Sequence, residues 1–221
     1  MPYKKPYGYK RSYKRKPNTR SQFKKFGSRA GGAAHTALKI AMRLKDMVNT
    51  EYKFLDTNYS NTMDYNGIVS TLNSISQGIT DTGRTGDSVK IQNIMLRGNI
   101  LAGTVPAQLR VILFWDAQNK VASVSDVLES TGTAYSVLSP KNYDKRFQTK
   151  VLWDKVFDVV PTADNAHRHF QLSLPINLHS QYAAATSTIN TGALKILLIS
   201  NIVTTGLPTI VYYSRVSYTD N

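Results

Sequence analysis

The chain has 221 residues, of which 41% are hydrophobic and 10% aromatic, enough to fill the core of one all-β domain of ordinary size. It contains no cysteine, which excludes a disulfide framework and a thiolate metal site. No apolar stretch approaches the roughly 20 residues that span a bilayer, so we expect a soluble protein made in the cytosol, without membrane insertion. The net charge of +14 favours a polyanionic partner.

The positive charge is confined to one end of the chain. Residues Met1 to Lys45 hold 14 of the 28 Lys and Arg residues and none of the 14 Asp and Glu residues. The remainder, Asp46 to Asn221, is therefore balanced, with 14 residues of each sign. This split predicts a neutral folded body that carries a polycationic arm.

Residues 1–32 are predicted to be a disordered arm that binds nucleic acid. Met1 to Arg29 has 11 basic residues, three prolines and no Leu, Ile or Val, so it cannot bury enough apolar surface to fold alone. Tyrosines between the charges could stack on unpaired bases; the candidates are Tyr3, Tyr7, Tyr9 and Tyr13. The predicted phosphate-binding residues, including two from the next segment, are Lys4, Lys5, Lys10, Arg11, Lys14, Arg15, Lys16, Arg20, Lys24, Lys25, Arg29, Lys39 and Arg43.

Residues 33–49 are predicted to form a basic amphipathic helix. Ala37, Ile40 and Leu44 recur at helical spacing, and Lys39 and Arg43 lie on the other side. Two interpretations stay open. The helix either packs on the folded domain, or it also presents its basic side to nucleic acid.

From residue 50 onward the apolar residues alternate with period 2, which predicts strands. Eight are expected, near Tyr52–Asn58, Ile68–Ser76, Ser88–Leu101, Gln108–Asp116, Arg146–Val159, His169–Ile176, Ala193–Ile202 and Thr209–Tyr218. A phase change near Asn93 predicts a β-bulge, and the apolar centre of the fourth strand predicts cover on both faces. Two long connections, Ala117–Asp144 and Asn177–Gly192, favour an all-β, eight-stranded jelly-roll sandwich over residues 50–221.

No convergent set of groups predicts an enzyme, a cofactor or a metal site. The histidines His167 and His169 stand at the start of a predicted strand and are expected on opposite faces, a poor geometry for one metal ion. Asp154 and Asp158 could contribute to an intersubunit cation site, but solvated carboxylates are the simpler interpretation. The segment Gly83–Gly86 lacks the spacing of a phosphate loop and is interpreted as a turn.

Trp115–Asp116 and Trp153–Asp154 are interpreted as core rings beside carboxylates that cap turns at strand ends.

Three strings then resemble a known family. In Leu72–Gly98, the residues Gln77, Gly78, Arg84, Gly86, Arg97 and Gly98 are similar to a stretch of the capsid proteins of small circular single-stranded DNA viruses that encode a replication initiator. LRVILFWDAQ at Leu109–Gln118 and KRFQTKVLWDK at Lys145–Lys155 resemble two further strands of that family. The layout of arm, helix and sandwich also resembles the coat proteins of RNA satellite viruses.

The resemblance implies a non-enzymatic capsid protein that self-assembles into an icosahedral virion shell, the simplest having about 60 identical subunits. It implies a packaged single-stranded genome, with DNA favoured. Lys4–Lys16 reads as a nuclear localisation signal, so host import machinery and the host nucleus are expected as partner and location. The alternatives are an RNA satellite virus coat protein and a cellular nucleic-acid-binding β-domain with a basic tail. The connections after Ala117 and Asn177 are candidates for exposed surface that meets a host receptor.

Overall fold

The computed structural model describes residues 36–40, 52–130, 132, 134–162 and 166–220. Residues 36–40 are α-helical, and the remainder of the predicted helix 33–49 lies outside the described residues. The strands are β1 (Tyr52–Thr62), β2 (Ile68–Thr71), β3 (Ser88–Leu101), β4 (Ala107–Asp116), β5 (Thr149–Val159), β6 (His167–Tyr182), β7 (Ile189–Thr191), β8 (Ala193–Ser200) and β9 (Thr209–Asp220). A single-turn 3₁₀ helix, Val124–Asp126, lies between β4 and β5.

The strands form two antiparallel sheets. The five-stranded sheet has the order β1-β9-β3-β6-β7, and the four-stranded sheet has the order β2-β8-β4-β5. The chain crosses repeatedly between the sheets, so that the first and last long strands, β1 and β9, are neighbours. This is the jelly-roll arrangement, and the predicted fold class is confirmed. The short strand β7 is an addition that was not predicted.

The main core lies between the two sheets. Strands β3 and β9 alternate strictly on either side of a bulge, so that Leu96, Ile100, Ile210 and Val216 point inward and are fully buried. Gly98 also faces inward, and the ring of Phe170 on β6 occupies the space beside it, where a Cβ atom would overlap the ring. Because Gly98 on β3 has no side chain, the core has room for the ring of Phe170 from the neighbouring strand β6.

A second core covers the outer face of the four-stranded sheet. The connection between β4 and β5 folds over this face and buries Val121, Val124, Val127 and Leu128 against it. Their partners on the sheet are Ile112, Phe114, Leu197 and Ile199, all fully buried. The prediction that the fourth strand is covered on both faces is confirmed. The connection after Ala117 is thus largely packed against the sheet.

Several predicted bounds need correction. The prediction of a long connection from Asn177 to Gly192 is wrong, because β6 continues through Tyr182 and β7 follows. Strand β2 ends at Thr71, well before Ser76, and β5 begins at Thr149. The predicted bulge is confirmed, since the register of β3 with both neighbours shifts between Ile91 and Asn93.

The chain divides into two units, Met1–Asn49 and Thr50–Asn221. Within the described residues, no helix has the length and apolar character needed to cross a membrane.

Candidate nucleic-acid and assembly surfaces

Most of the predicted nucleic-acid-binding residues, from Tyr3 to Arg29 together with Arg43, lie outside the described residues. Lys39 lies in the helical segment 36–40 and is exposed, as are the flanking Leu38 and Ile40. The role assigned to these side chains stays a prediction.

The outer face of the five-stranded sheet is polar, and no described connection packs a hydrophobic cluster against it. We call it the open face. Strand alternation places on it three cations, Lys90, Arg97 and Arg215, and one carboxylate, Asp56. The histidines His167, His169 and His179 and the tyrosine Tyr213 share it. The other carboxylates of the described residues lie in loops, in the four-stranded sheet or at the end of β9.

A single row of side chains crosses the middle of the open face. The register pairs Arg97 on β3 with Tyr213 on β9 and with Gln171 on β6. Tyr213 is 63% exposed although tyrosine usually buries its ring, and Arg97 is exposed beside it. Two grooves of about 600 and 480 Å³ flank this row, and both are lined by Arg97 and Tyr213.

The one carboxylate of the open face, Asp56, forms an ion pair with Arg215 on the neighbouring strand. Arg215 donates two hydrogen bonds to the Asp56 carboxylate, at 2.7 Å from Nε and 2.6 Å from Nη2. These hydrogen bonds hold the pKa of Asp56 below its usual range. Among the described residues no carboxylate forms an ion pair with Arg97. Arg97 is therefore a cation whose charge the described part of the fold does not neutralise.

The second groove of the open face carries hydrogen-bonding groups. It is lined by Asn99, His169 and Gln171. The Oδ1 atom of Asn99 is buried and accepts no hydrogen bond from the described residues. The expectation that His167 and His169 point to opposite faces is wrong, because residues two apart in a strand share a face. No group of three metal-binding side chains occurs among the described residues.

In the four-stranded sheet, charged side chains form ion pairs with one another. Lys195 donates to the buried carboxylate of Asp116 at 2.9 Å and to the carbonyl of Val121, and the Val121 amide donates to the same carboxylate. Trp115 is buried beside it, so the interpretation of this pair as a core ring next to a turn-holding carboxylate is confirmed. A buried ion pair of this kind ties the connection to the sheet.

The second Trp-Asp pair does not follow the same pattern. Asp154 lies within β5 and not at a strand end, so its interpretation as a turn cap is wrong. It accepts two hydrogen bonds of 2.8 Å from Arg110, which also donates to the carbonyls of Val137 and Ser139. Partial burial alone would raise the pKa of Asp154, but the hydrogen bonds and charges of Arg110 and Lys141 together outweigh it and lower the pKa.

Two of the residues that carried the family resemblance, Gly78 and Arg84, hold one end of the sandwich together. Gly78 donates to the carbonyl of Arg84, whose own amide donates to Ser76, so Gly83–Gly86 is part of a turn as predicted. The Arg84 side chain is fully buried and donates to the carbonyls of Ile75, Gly86, Ala183 and Thr186 and to Asp87. These contacts of Gly78 and Arg84 are structural.

An aromatic cluster projects from the connection just before β5. Tyr143 is 63% exposed and Phe147 is 84% exposed. The guanidinium of Arg146 lies over both rings, 3.6 Å and 4.3 Å from their centroids, and donates to the carbonyl of Tyr143. We call Tyr143, Arg146 and Phe147 the aromatic knob. Tyrosine and arginine are enriched among the residues that dominate protein interfaces.

The open-face residues were missed by sequence reasoning as a site. The sequence assigns Arg97 only to a string that resembles a family and Tyr213 only to a predicted strand. The available signal was alternation: in β9, Tyr213 and Arg215 fall on the phase opposite to Tyr212, Ser214 and Val216, which are buried. What the sequence does not contain is the register that places Tyr213 next to Arg97.

Comparison with solved structures returns several viral proteins and a Bacillus endospore appendage, all at low similarity. Desmodium yellow mottle tymovirus is 11% identical, with 78% of this chain and 90% of that chain covered and a TM-score of 0.34. The 60-mer BFDV capsid protein is 9% identical, with 78% and 94% covered and a TM-score of 0.26. The VP2 subviral particle of infectious bursal disease virus is 12% identical, with 79% and 33% covered and a TM-score of 0.26. No curated protein matches the chain.

The family comparison is decisive where these structures are not. Residues 28–221 match the model of the satellite tobacco necrosis virus coat protein. The match takes in the whole sandwich and the last residues of the basic segment. The resemblance to the capsid proteins of single-stranded DNA viruses is confirmed only in its coarser part, that of a viral coat protein. With its jelly-roll sandwich and most of its length matched, this chain belongs to the satellite tobacco necrosis virus coat protein family.

Proposed function

We propose that the sandwich assembles into a closed shell and that the arm, residues 1–32, binds a single-stranded genome inside it. The observation that carries this proposal is the charge split: a coat-family sandwich with balanced charge follows a segment with 14 basic and no acidic residues. Balanced subunits can pack edge to edge without mutual repulsion, while a polycation neutralises phosphates.

The arm has the capacity that packaging requires. The arm holds 11 basic residues, so about 60 subunits in the smallest closed shell would bring roughly 660 positive charges to its interior. Such binding releases counterions, so its strength falls steeply with salt and depends little on sequence. The tyrosines of the arm add stacking on unpaired bases, which favours single strands over duplexes.

The kind of genome has two candidates. The strings at Leu72–Gly98, Leu109–Gln118 and Lys145–Lys155 resemble DNA-virus capsid proteins, which supports single-stranded DNA. The family match is to a satellite virus, which supports the RNA alternative equally well. Import into the nucleus through Lys4–Lys16 belongs to the DNA candidate, because that genome would be replicated there.

Electron microscopy of purified protein tests the proposal. The full chain is compared with a chain that lacks residues 1–29 and with one in which the 11 basic residues of that segment are Gln, at low and high salt. We expect closed particles filled with nucleic acid from the full chain only. Empty particles or no particles are expected from both variants, because each lacks the charge.

Two results would overturn the proposal. Small species under every condition would favour a cellular nucleic-acid-binding module, which has no reason to assemble. Particles that package as much nucleic acid after the Gln substitutions would show that the arm is not the binding element. Digestion of the packaged material with RNase and DNase then decides between the two genomes.

A further inference from the structure

We propose that the open face carries a nucleotide-binding site in which the Tyr213 ring stacks on a base and Arg97 binds the adjoining phosphate. This site is separate from the arm in sequence, and its occupant is single-stranded nucleic acid. The proposed site depends on the proposed function only for the identity of its ligand.

The positive charge of the open face favours single-stranded nucleic acid, a polyanion, as its ligand. Asp56 is the one carboxylate that the described strands place on the open face, and it is neutralised by Arg215 at 2.6 Å. Arg97 and Lys90 then leave the face cationic, although the chain from Asp46 onward is balanced overall. A cationic face repels the basic arm and attracts the same polyanion as the arm does.

The geometry suits one nucleotide. Arg97 and Tyr213 are directly opposite each other on neighbouring strands, which lie about 4.8 Å apart. That separation lets one ring and one guanidinium meet the base and the phosphate of the same residue. The phenol ring of Tyr213 forms no ring contact with described aromatic or cationic side chains, so its exposed side is available for stacking.

A second, independent observation lies in the adjoining groove of about 480 Å³. The amide of Asn99 lines this groove, and its buried Oδ1 atom has no hydrogen-bond donor among the described residues. Buried polar atoms are normally paired, and an unpaired one at a groove indicates a missing partner. The amino or imino group of a base stacked on Tyr213 is a donor of the required kind, and it would reach Oδ1 once the Asn99 amide turned into the groove.

Binding of two probes to the full chain tests the site. The probes are a labelled twelve-residue oligothymidylate and an abasic strand of equal length, which has the phosphates and lacks the bases. Fluorescence anisotropy is recorded over a series of salt concentrations, below the protein concentration at which particles form. Tyr52→Ala is the matched control for Tyr213→Ala, because the Tyr52 ring is 70% exposed and lies in the edge strand β1 of the same sheet. Lys150→Ala is the control for Arg97→Ala, with the same charge change on an exposed residue of the other sheet.

We expect Tyr213→Ala to weaken oligothymidylate binding by about fivefold or more and to leave abasic binding unchanged. Arg97→Ala should weaken both probes and reduce the salt slope by about one phosphate contact. Both controls should bind like the wild type. Because Tyr213 and Arg97 are exposed, thermal unfolding should show that all four variants fold.

The experiment distinguishes a failure of the packaging proposal from a failure of the proposed site on the open face. A full chain that binds neither probe overturns the packaging proposal and this site together. A full chain that binds both probes, with Tyr213→Ala and Arg97→Ala indistinguishable from their controls, overturns only the site, and base preference then belongs to the arm tyrosines.

Discussion

Arg84 combines a full positive charge with a side chain that has no exposed surface. Desolvating a guanidinium costs several kcal/mol, and the fold recovers this by surrounding it with five acceptors and the ring of Tyr182 at 4.6 Å. The acceptors come from the turn before β3 and from the turn after β6. One side chain therefore joins two connections at the same end of the sandwich.

Replacing this side chain should be costly. We expect Arg84→Met to lower the free energy of unfolding by about 3–5 kcal/mol, because it leaves buried carbonyl groups without donors. Urea denaturation measures the change. Arg97→Met removes an exposed arginine and should cost less than about 0.5 kcal/mol. Equal losses in the two variants would contradict the structural role of Arg84.

The close packing of Gly98 against Phe170 leads to a second prediction about a single residue. Gly98→Ala should lose about 1–3 kcal/mol of stability, because the added Cβ overlaps the Phe170 ring. In the double variant with Phe170→Leu the combined loss should be smaller than the sum of the single losses. Gly78→Ala is the control, because its Cβ would meet only the Thr80 Oγ1 atom, at an ordinary contact distance of 4.0 Å. Strict additivity in the double variant would contradict the proposed overlap.

Among the elements, alternation in the sequence predicts β3 well, and continuous apolar runs predict β4 and β8, because both faces of these two strands are covered. It fails for the second half of β6, where Asn177 has a φ of 53° in the left-handed region and reads as the start of a loop. The strand nevertheless continues, because its pairing with β3 resumes at Leu178 opposite Ile91. Likewise, local sequence predicted a strand for Arg97 and another for Tyr213, but only the long-range register joins them.

The connection over the four-stranded sheet should loosen in acid. The lowered pKa of Asp154 means that its ion pair with Arg110 adds stability above the unfolded pKa of about 3.9, and that this stability is lost as pH falls through the lower folded value. Urea denaturation from pH 7 to pH 3 should show this loss in the wild type. The Asp154→Asn variant should have a lower free energy of unfolding at pH 7. Below pH 5 its free energy of unfolding should depend less on pH than that of the wild type. An unchanged acid slope in Asp154→Asn would contradict the assignment.

For the molecule as a whole, the aromatic knob is the best-defined apolar projection from a body with balanced charge. Its rings are held by Arg146 before any partner arrives, which lowers the entropy lost on association. In a chain of a coat family the partner most consistent with such a projection is another copy of the chain.

Phe147→Asp should therefore block particle formation and leave the fold intact. Phe147 is 84% exposed, so we expect the thermal unfolding midpoint to change little, while electron microscopy shows only small species. Ala117→Asp adds the same charge to an exposed residue of the same connection and should still assemble. Normal particles from Phe147→Asp would exclude the knob from the subunit contacts.

The pairing of β1 with β9 also fixes where the chain enters and leaves the sandwich. Tyr52 lies opposite Thr219, and the Nζ atom of Lys53 contacts the Asp220 carboxylate at 3.0 Å. A guest enzyme or reporter attached after residue 221 would consequently start beside the point where the segment from the arm enters. Cleavage of such a guest by added protease would therefore report the side of an assembled shell from which the segment before β1 enters.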